Sequence, residues 1–540
     1  MKKQFPVNQR KSSAGRGRQG KADQGVLLAN PGGTIWKRTL GSLFGLDPRS
    51  LALFRMAMGA LLLADLAIRA TDLKAMYTDE GMFSRGEICF HYTTIWNWSF
   101  HFGSGSWTYQ AMLFGIAAAL ALALVAGFET RLATIGSWLM LVSLQHRVPP
   151  IGSGADALLR MLLFWAMFLP LNRAWSLDGW LDKRRGSTTM RGDPAPVLSV
   201  ASGAILLQMA LVYLFTAIFK SNLVWLRGEA VAGVLAHDFY ASPLGAYLLQ
   251  FPRVLTGLTR CTFFLEWVAP LLLFFPKYTA WLRLGVIAAL AAMHVGIGLC
   301  LEVDLFSPVS LAGLSLFLPA EFWDGLRARF WRTSRSAKPI ASAGKSGAKQ
   351  RPPLLYVTQG ACLLLLIYVM VINFNGLPSH PLAQLEPEKK DFLWTGCGLG
   401  QKWIMFDEIP SKNGWYVAAA KLNDGSDVDL LRHGAAVDWS KPHFPAGLYP
   451  NHRWRKCFRE MAYADELGYQ VFRVPVARFL CRDWNARNTA EKQIAEFDLI
   501  YCNERDARID MSTVQSNLRE QLVHLDFNSS EGERAAASDL

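Results

Sequence analysis

Long apolar segments recur through the middle of this 540-residue sequence, and they limit its possible folds more than any other feature. A helix needs about 20 apolar residues to cross the ~30 Å hydrocarbon core of a membrane. Several segments are shorter, which indicates tilted helices or helices buried in a bundle. The pattern predicts a polytopic α-helical membrane protein with about nine spans, at residues 51–68, 111–128, 132–144, 157–170, 197–219, 262–275, 284–301, 305–317 and 354–372.

The composition agrees with this class and excludes two others. Hydrophobic residues make up 51% of the chain and charged residues 18%, whereas a disordered chain needs low hydrophobicity. The net charge of +13 would suit a nucleic-acid-binding protein, but most of the excess lies in blocks beside apolar segments. That arrangement is typical of membrane topology. We therefore expect membrane lipid, and no nucleic acid, as the partner of these charges.

The basic blocks also predict an orientation. Lys and Arg outnumber acidic residues in 1–49, 172–197 and 321–353, whereas acidic groups prevail in 69–110. Cytoplasmic loops carry the excess of Lys and Arg in membrane proteins. Nine spans place the three basic blocks on one side, so we expect a multi-pass protein of the cell (inner) membrane. Its N terminus would be cytoplasmic and its C-terminal domain extracytoplasmic.

The pattern changes after residue 374, where apolar runs give way to alternating segments such as 415–422. This indicates a smaller β-rich (α+β) domain outside the membrane. The expected organisation is a basic disordered cytoplasmic tail (1–45), a helical bundle (46–323), a basic cytoplasmic linker (324–353), a final transmembrane helix (354–373), the extracytoplasmic β-rich domain (374–510) and a polar tail (511–540).

Four of the eight cysteines lie in the predicted outer domain: Cys397, Cys457, Cys481 and Cys502. An even number in an exported compartment permits two disulfides, although free buried thiols are the alternative. No CxxC pair or histidine-rich spacing suggests zinc, so we expect no metal site.

Lys220 is the strongest candidate for chemistry, because an ionisable group next to a membrane span is costly. It follows the apolar run 197–219, and Trp225 comes five residues later. A lysine at this boundary can simply extend its amine to the membrane surface. A lysine held in an apolar pocket can instead serve as a base near neutral pH. The irregular polar sequence that follows favours a pocket at this corner.

Three further ionisable residues lie within predicted spans. His294 either makes a helix–helix hydrogen bond or lines a site. Glu266 has Arg260, His294 or Arg160 as candidate partners. Arg160 itself needs a counter-charge, for which Asp156, one turn earlier, is the nearest candidate.

The bundle resembles the bacterial HTTM proteins, which share the transmembrane domain of vitamin K-dependent gamma-carboxylase. The resemblance lies in LDPRSLALFRMAMGALLLADL (46–66), YTDEGMFSR (77–85) and LLRMLLFWAMFLPLNRAWSLD (158–178). It is sharpest in YLFTAIFKSNLVW (213–225), which keeps the separation between the family's base lysine and a following tryptophan. GWYVAAAKLNDGSDVDLLRHG (414–434) and LYPNHRWRKCF (448–458) are similar to the extension of long bacterial members.

The resemblance implies a cofactor and a mechanism. In the carboxylase, a lysine deprotonates reduced vitamin K, whose oxygenation creates the strong base that allows a glutamate to be carboxylated. Carried over, Lys220 would be catalytic and the cofactor would be reduced vitamin K or a related quinol, arriving from the bilayer. An external peptide or protein would be the second partner. The quinol pocket would be formed by Trp225, His294, Glu266, Arg160 and Tyr213.

A non-enzymatic function is the alternative. Some proteins of this family are similar to membrane partners of toxin or signalling systems, and the outer domain here is much smaller than that of the carboxylase. In this hypothesis the bundle is a scaffold for an immunity or signalling protein, and Lys220 and His294 only pack within it.

Overall fold

The fold is known from a computed structural model that describes residues 39–92, 94–185, 195–330, 353–377, 391–409, 413–462, 469–504 and 519–527. Most of the predicted N-terminal tail, most of the linker and the last residues of the predicted polar tail lie outside the described residues.

Within the described residues, nine helices form the bundle, and each predicted apolar segment lies on one of them. Their bounds are α1 Pro48–Ala70, α2 Trp107–Ala126, α3 Thr130–Arg147, α4 Gly154–Ala166, α5 Val200–Phe219, α6 Pro252–Leu273, α7 Thr279–Cys300, α8 Phe306–Leu314 with a 3₁₀ turn at Ser315–Phe317, and α9 Pro353–Asn375. Shorter helices connect them: Leu73–Tyr77, Arg85–Tyr92, Leu177–Arg184, Leu223–Arg227, Ala230–Leu235, Pro243–Leu248 and Ala320–Phe330.

Five of these helices are long and apolar enough to cross a membrane: α1, α2, α5, α7 and, over Leu355–Asn375, α9. The other four are too short or too polar by the same measure. For example, α4 has 13 residues, and α6 contains two arginines and a glutamate. The helical membrane class is therefore confirmed, but five helices meet the criterion where nine spans were predicted.

The described parts of the three basic blocks meet at one end of the bundle, called here the basic end. Leu46 and Val197 exchange backbone hydrogen bonds of 3.0 and 2.8 Å. Trp175 and Trp323 pack edge to face with ring centroids 5.3 Å apart. These contacts join the segments before α1, after α4 and after α8.

A four-stranded antiparallel sheet forms the C-terminal domain, in the order β2-β1-β3-β4. Its strands are β1 Gly414–Leu422, β2 Asp427–Asp429, β3 Ile494–Asn503 and β4 Arg519–Asp526, and its main helices are α10 His452–Ala462 and α11 Arg473–Asn485. The predicted β-rich domain is thus present. However, β4 lies within the stretch predicted as a polar tail. It pairs with β3 and buries Val523 against the sheet.

The C-terminal domain packs on the end of the bundle opposite the basic end. The rings of Phe83, from the segment after α1, and Phe472, just before α11, lie 5.0 Å apart. One continuous apolar core joins the two parts there. Both the sheet and the segment after α1 therefore contribute to the same buried surface.

The four cysteines after residue 374 are free thiols, which corrects the disulfide prediction. Cys457, Cys481 and Cys502 are buried. Burial raises the pKa of Cys457 to about 12 and that of Cys502 to about 11. Such thiols carry little reactive thiolate near neutral pH.

Candidate functional site

A break between two helices positions Lys220 and Trp225. Lys220 ends α5, and the side chain of Asn222 then accepts a hydrogen bond from the backbone N–H of Trp225, which starts the helix Leu223–Arg227. The Nζ atom of Lys220 lies 4.5 Å from the centroid of the Trp225 ring. At this distance the electron-rich face of the ring attracts a cation.

A buried ion pair joins Lys220 to Glu266 on α6. Lys220 Nζ donates to both carboxylate oxygens, at 2.8 and 2.9 Å, and the two residues are 5% and 4% exposed. The sequence predicted Arg260, His294 or Arg160 as the partner of Glu266, and the structure corrects this. The pairing lets two charges lie inside an apolar bundle, because each compensates the other.

Lys220 and Trp225 line a cavity of about 360 Å³, called here the lysine cavity. Its other walls come from α6, α7, the helix Ala230–Leu235 and the C-terminal segment. Apart from Lys220 the lining is almost entirely apolar. The remaining lining residues are Ala230, Val231, Val234, Leu235, Leu248, Leu258, Cys261, Thr262, Leu265, Ala289, Ala292, Met293, Gly296, Ile297, Cys300, Leu301 and Phe406.

The lysine cavity lies near the outer surface of the bundle. Only 22% of the apolar stretch of α7 is buried, and Leu258 and Cys261 on α6 are exposed. A side chain added at Gly296 on α7 would meet no atom within 4 Å. In a membrane these surfaces face lipid, so an apolar compound could enter the cavity sideways.

Tyr213 and His294 form a second polar pair beside the lysine cavity. The Tyr213 hydroxyl and His294 Nε2 are 2.9 Å apart, and both residues are buried. Neither of them lines the cavity, although Met293, the neighbour of His294, does. His294 Nδ1 has no hydrogen-bond partner among the described residues. The predicted pocket residues Tyr213, His294 and Glu266 therefore lie behind the cavity wall.

Arg160 lies elsewhere and fastens the C-terminal segment to the bundle. It donates to the carbonyls of Gly398 at 2.6 Å and Gly400 at 2.9 Å, and to the side chain of Gln145. The structure thus does not bring Arg160 to the lysine cavity. It also corrects the expected pairing with Asp156, which binds two other arginines.

Phe406 completes the cavity wall, and sequence reasoning missed it. Its carbonyl accepts a hydrogen bond of 2.8 Å from Trp225 Nε1, and the neighbouring carbonyl of Asp407 accepts one of 2.6 Å from Asn222. Its φ angle is +54°, an unfavourable value for a residue with a side chain. Such conformations are often held in place at functional sites. The positive φ cannot be read from sequence.

Phe406 also borders a second cavity of about 240 Å³ beneath the C-terminal domain, called here the polar cavity. The polar part of its lining comes from α10 and from Tyr240, whose ring packs edge to face on Phe406 at 5.1 Å. One aromatic side chain therefore touches both cavities. The lining residues are Gly152, Ser153, Gly154, Ala155, Tyr240, Val303, Phe306, Ile404, Met405, Phe406, His452, Lys456 and Arg459.

His452 supplies a hydrogen-bond acceptor to the polar cavity. Burial, followed by the nearby cations of Arg455, Arg453 and Lys456, lowers the pKa of His452 to about 3. The imidazole is therefore neutral at pH 7, and its Nδ1–H donates to the carbonyl of Glu302 at 3.0 Å. Nε2 then carries a lone pair. The cavity combines this acceptor with Lys456 and Arg459, which both pair with Glu460.

A dense charge cluster holds α10 on the bundle. Arg453, 1% exposed, contacts Asp65 at 2.5 Å, Asp156 at 3.1 Å and Asp304 at 3.4 Å. Arg69 also binds Asp65 and Asp156, at 2.8 and 2.6 Å. Burial disfavours the Arg453 cation, but the three carboxylates raise its pKa well above the usual value. Among the described residues, no group of three or more His, Cys, Asp or Glu side chains is placed to hold a metal ion.

These features define the class of protein: a helical membrane bundle with an apolar cavity beside a buried Lys–Glu pair, covered at one end by a small α+β domain. Residues 45–323 match the family model described as HTTM domain, and the chain belongs to that family. No curated protein and no solved structure matches the chain.

Proposed function

We propose that this chain is an integral-membrane enzyme that binds reduced vitamin K or a related quinol in the lysine cavity and removes a proton from it. The observation that carries the proposal is the Lys220–Glu266 pair beside an apolar cavity that faces the lipid side of the bundle. A volume of about 360 Å³ falls within the range of small-molecule sites. The apolar lining suits a ring compound dissolved in the membrane.

The Lys220–Glu266 pair, rather than the amine alone, is suited to accept the proton. The pair is neutral whether the shared proton lies on nitrogen or on oxygen. One more proton leaves an ammonium group and a carboxylic acid, which together carry a single positive charge. That charge offsets the negative charge on the donor oxygen, and the Trp225 ring at 4.5 Å stabilises the ammonium.

A quinol supplies a ring that dioxygen can oxidise, and we propose that this oxidation is coupled to replacement of a C–H proton of an external substrate by CO₂, or to oxidation of that substrate. The polar cavity is suited to that substrate, because it lies beneath the extracytoplasmic domain and contains Lys456 and Arg459. An external peptide or protein could reach it from the aqueous side. Phe406, which borders both cavities, would separate the two compounds.

We further propose that all nine bundle helices cross the bacterial inner membrane, with the basic end and the N terminus in the cytoplasm. The meeting of the basic blocks at one end supports this orientation. We suggest labelling Ser426→Cys and Lys277→Cys with a membrane-impermeant reagent, in a background without the exposed Cys89 and Cys261 and the half-buried Cys397. Only Ser426→Cys should react in intact cells.

The catalytic proposal is tested by supplying membranes with reduced naphthoquinone and measuring the epoxide by chromatography. We expect epoxide formation by the parent and about a hundredfold or greater loss in Lys220→Ala, the usual scale for removal of a general base. Lys277→Ala, at an exposed lysine of the basic end, is the matched control and should retain the parent rate.

The outcomes separate the two functions. Equal rates in Lys220→Ala and the parent would contradict the proposed base. No oxidation by the parent, together with no quinone-dependent rise in its unfolding temperature, would favour the membrane-partner function.

A further inference from the structure

The basic end carries an open cavity of about 720 Å³, far from the lysine cavity and unused by the proposed reaction. It is formed by the connection after α4 and by the helix Leu177–Arg184. Arg173, Trp175, Trp180 and Lys183 line it, and all four are exposed. Exposed tryptophans beside cationic side chains are typical of the part of a membrane protein that lies at the membrane–water interface.

The cations of this cavity are not neutralised by the protein. Among the described residues, Arg173 and Lys183 form no ion pair or side-chain hydrogen bond that would occupy them. Neither acid of the helix, Asp178 or Asp182, lines the cavity, and Asp178 accepts hydrogen bonds from the backbone N–H groups of Glu129 and Thr130, at 2.8 and 3.0 Å. The cavity therefore keeps an excess of positive charge.

A buried cation lies directly behind the cavity wall. Arg55 is fully buried, donates to the carbonyl of Trp175 at 2.6 Å and leaves Nε and Nη1 without a partner among the described residues. A Cβ atom at Gly127 would lie 1.6 Å from Arg55 Nη1 and 2.7 Å from Ser176 Cβ, so the guanidinium touches the wall. It adds to the positive potential of the cavity.

Trp175 is held in an unfavourable conformation at the same place. Its φ angle is +47°, and its side chain is 52% exposed. A bulky residue keeps this unfavourable backbone conformation only where contacts with its surroundings stabilise it. Here the Arg55 hydrogen bond and the Trp323 ring hold it, and its own ring is presented at the cavity.

We propose that this cavity binds the phosphate headgroup of an anionic phospholipid. The uncompensated cations match a phosphate, and the partly exposed rings of Trp175 and Trp180 suit the glycerol region above the acyl chains. The position of the cavity favours a lipid as the source of the phosphate, because the basic end lies where α2 and α5 leave the apolar region. A free phosphate would use the cations but gain nothing from the tryptophans.

The test uses the full-length protein in detergent, with native mass spectrometry counting retained phosphatidylglycerol against phosphatidylcholine. We expect the double variant Arg173→Gln/Lys183→Gln to retain phosphatidylglycerol about tenfold less than the parent, because each cation near an anionic headgroup contributes severalfold in affinity. Lys277→Gln, an exposed lysine of the same end outside the cavity, is the matched control and should not change retention. Trp180→Ala should weaken binding less.

Three results would overturn the proposal. Equal losses in the cavity variant and in Lys277→Gln would show only general attraction to charge. Equal retention of the two lipids by the parent would show no headgroup preference. Displacement of the lipid by millimolar inorganic phosphate would show that the cavity binds a free anion rather than a lipid headgroup. An unchanged unfolding temperature in the double variant confirms that the fold is intact.

Discussion

Two groups of buried charges in this molecule differ in what surrounds them. The Arg453 cluster brings two arginines and three carboxylates together at the junction of bundle and domain, and none of these five residues lines the lysine cavity or the polar cavity. The Lys220–Glu266 pair has one cation and one carboxylate, and Lys220 lines an apolar cavity. Both are almost completely buried.

The comparison shows that burial of a charge is not by itself a sign of catalysis. Arg69, Arg453, Asp65 and Asp156 each contact at least two groups of opposite charge, so their charges are used to compensate one another. The Lys220–Glu266 pair contacts few groups and one open volume, so a compound can reach it. Lys220 is a candidate base because a compound in the lysine cavity can reach it and because Glu266 alone balances its charge.

The largest effect on stability is expected from Arg453→Met. The change leaves Arg69 alone with three carboxylates, and loss of one partner of a buried ion pair typically costs about 3–5 kcal/mol. Because Arg453 belongs to α10, hydrogen exchange should increase in residues 452–462 before it increases in the bundle. The measurements are thermal unfolding and exchange mass spectrometry on the purified protein.

Lys421→Met is the control for this comparison. Lys421 and Glu496 form an exposed pair on the sheet, 3.5 Å apart, and such pairs contribute at most about 1 kcal/mol. If Arg453→Met were no more destabilising than Lys421→Met, the cluster would not be what holds the domain on the bundle.

A smaller change in stability is expected at the lysine cavity. Lys220→Met leaves Glu266 buried without a counter-charge, but the carboxyl group can take up a proton, which limits the cost to about 2 kcal/mol. The double variant Lys220→Met/Glu266→Gln removes both charges and should recover most of that loss. Quinol oxidation should remain absent in both variants.

Recovery of stability without recovery of activity would separate the structural contribution of the pair from its chemistry. The opposite result, in which the double variant oxidises quinol, would place the base elsewhere. Failure to recover stability would indicate that other charged groups contact Glu266.

The sequence was informative wherever a feature is local. The apolar runs marked every bundle helix, and the closeness of Lys220 to Trp225 followed from their five-residue separation at the end of a run. Glu266 was recognised as a buried charge, but its partner was not, because the rotation of α6 about its axis decides which side chain it meets. The resemblance supplied the family, which the match over residues 45–323 confirmed.

Contacts between distant parts of the chain could not be predicted. Arg453 and Asp65 are 388 residues apart in sequence, and nothing in either segment indicates the other. Phe406 lies in a stretch without periodicity, which was assigned to the outer domain although it packs along the bundle. The β4 strand was also missed, because eight mixed residues after a long polar stretch give a weak signal.

The smallest effect is expected from pH and concerns His452, which stands next to Arg453. Its pKa is about 3 in the folded protein, below the ordinary value of about 6.5 in the unfolded chain. Between these values the unfolded state binds a proton that the folded state does not. The contribution of His452 to the free energy of unfolding is therefore fully present above pH 6.5 and is lost as the pH falls. The loss is at most about 1.4 kcal/mol per pH unit, which gives about 1 kcal/mol between pH 7 and 5.5.

Urea unfolding at several pH values measures this slope. His452→Gln should flatten it, whereas His443→Gln, at an exposed histidine, should not. An unchanged slope in His452→Gln would mean that the imidazole is not held neutral in the folded protein. A flattened slope would show that burial, together with the nearby cations of α10, disfavours the charged imidazole.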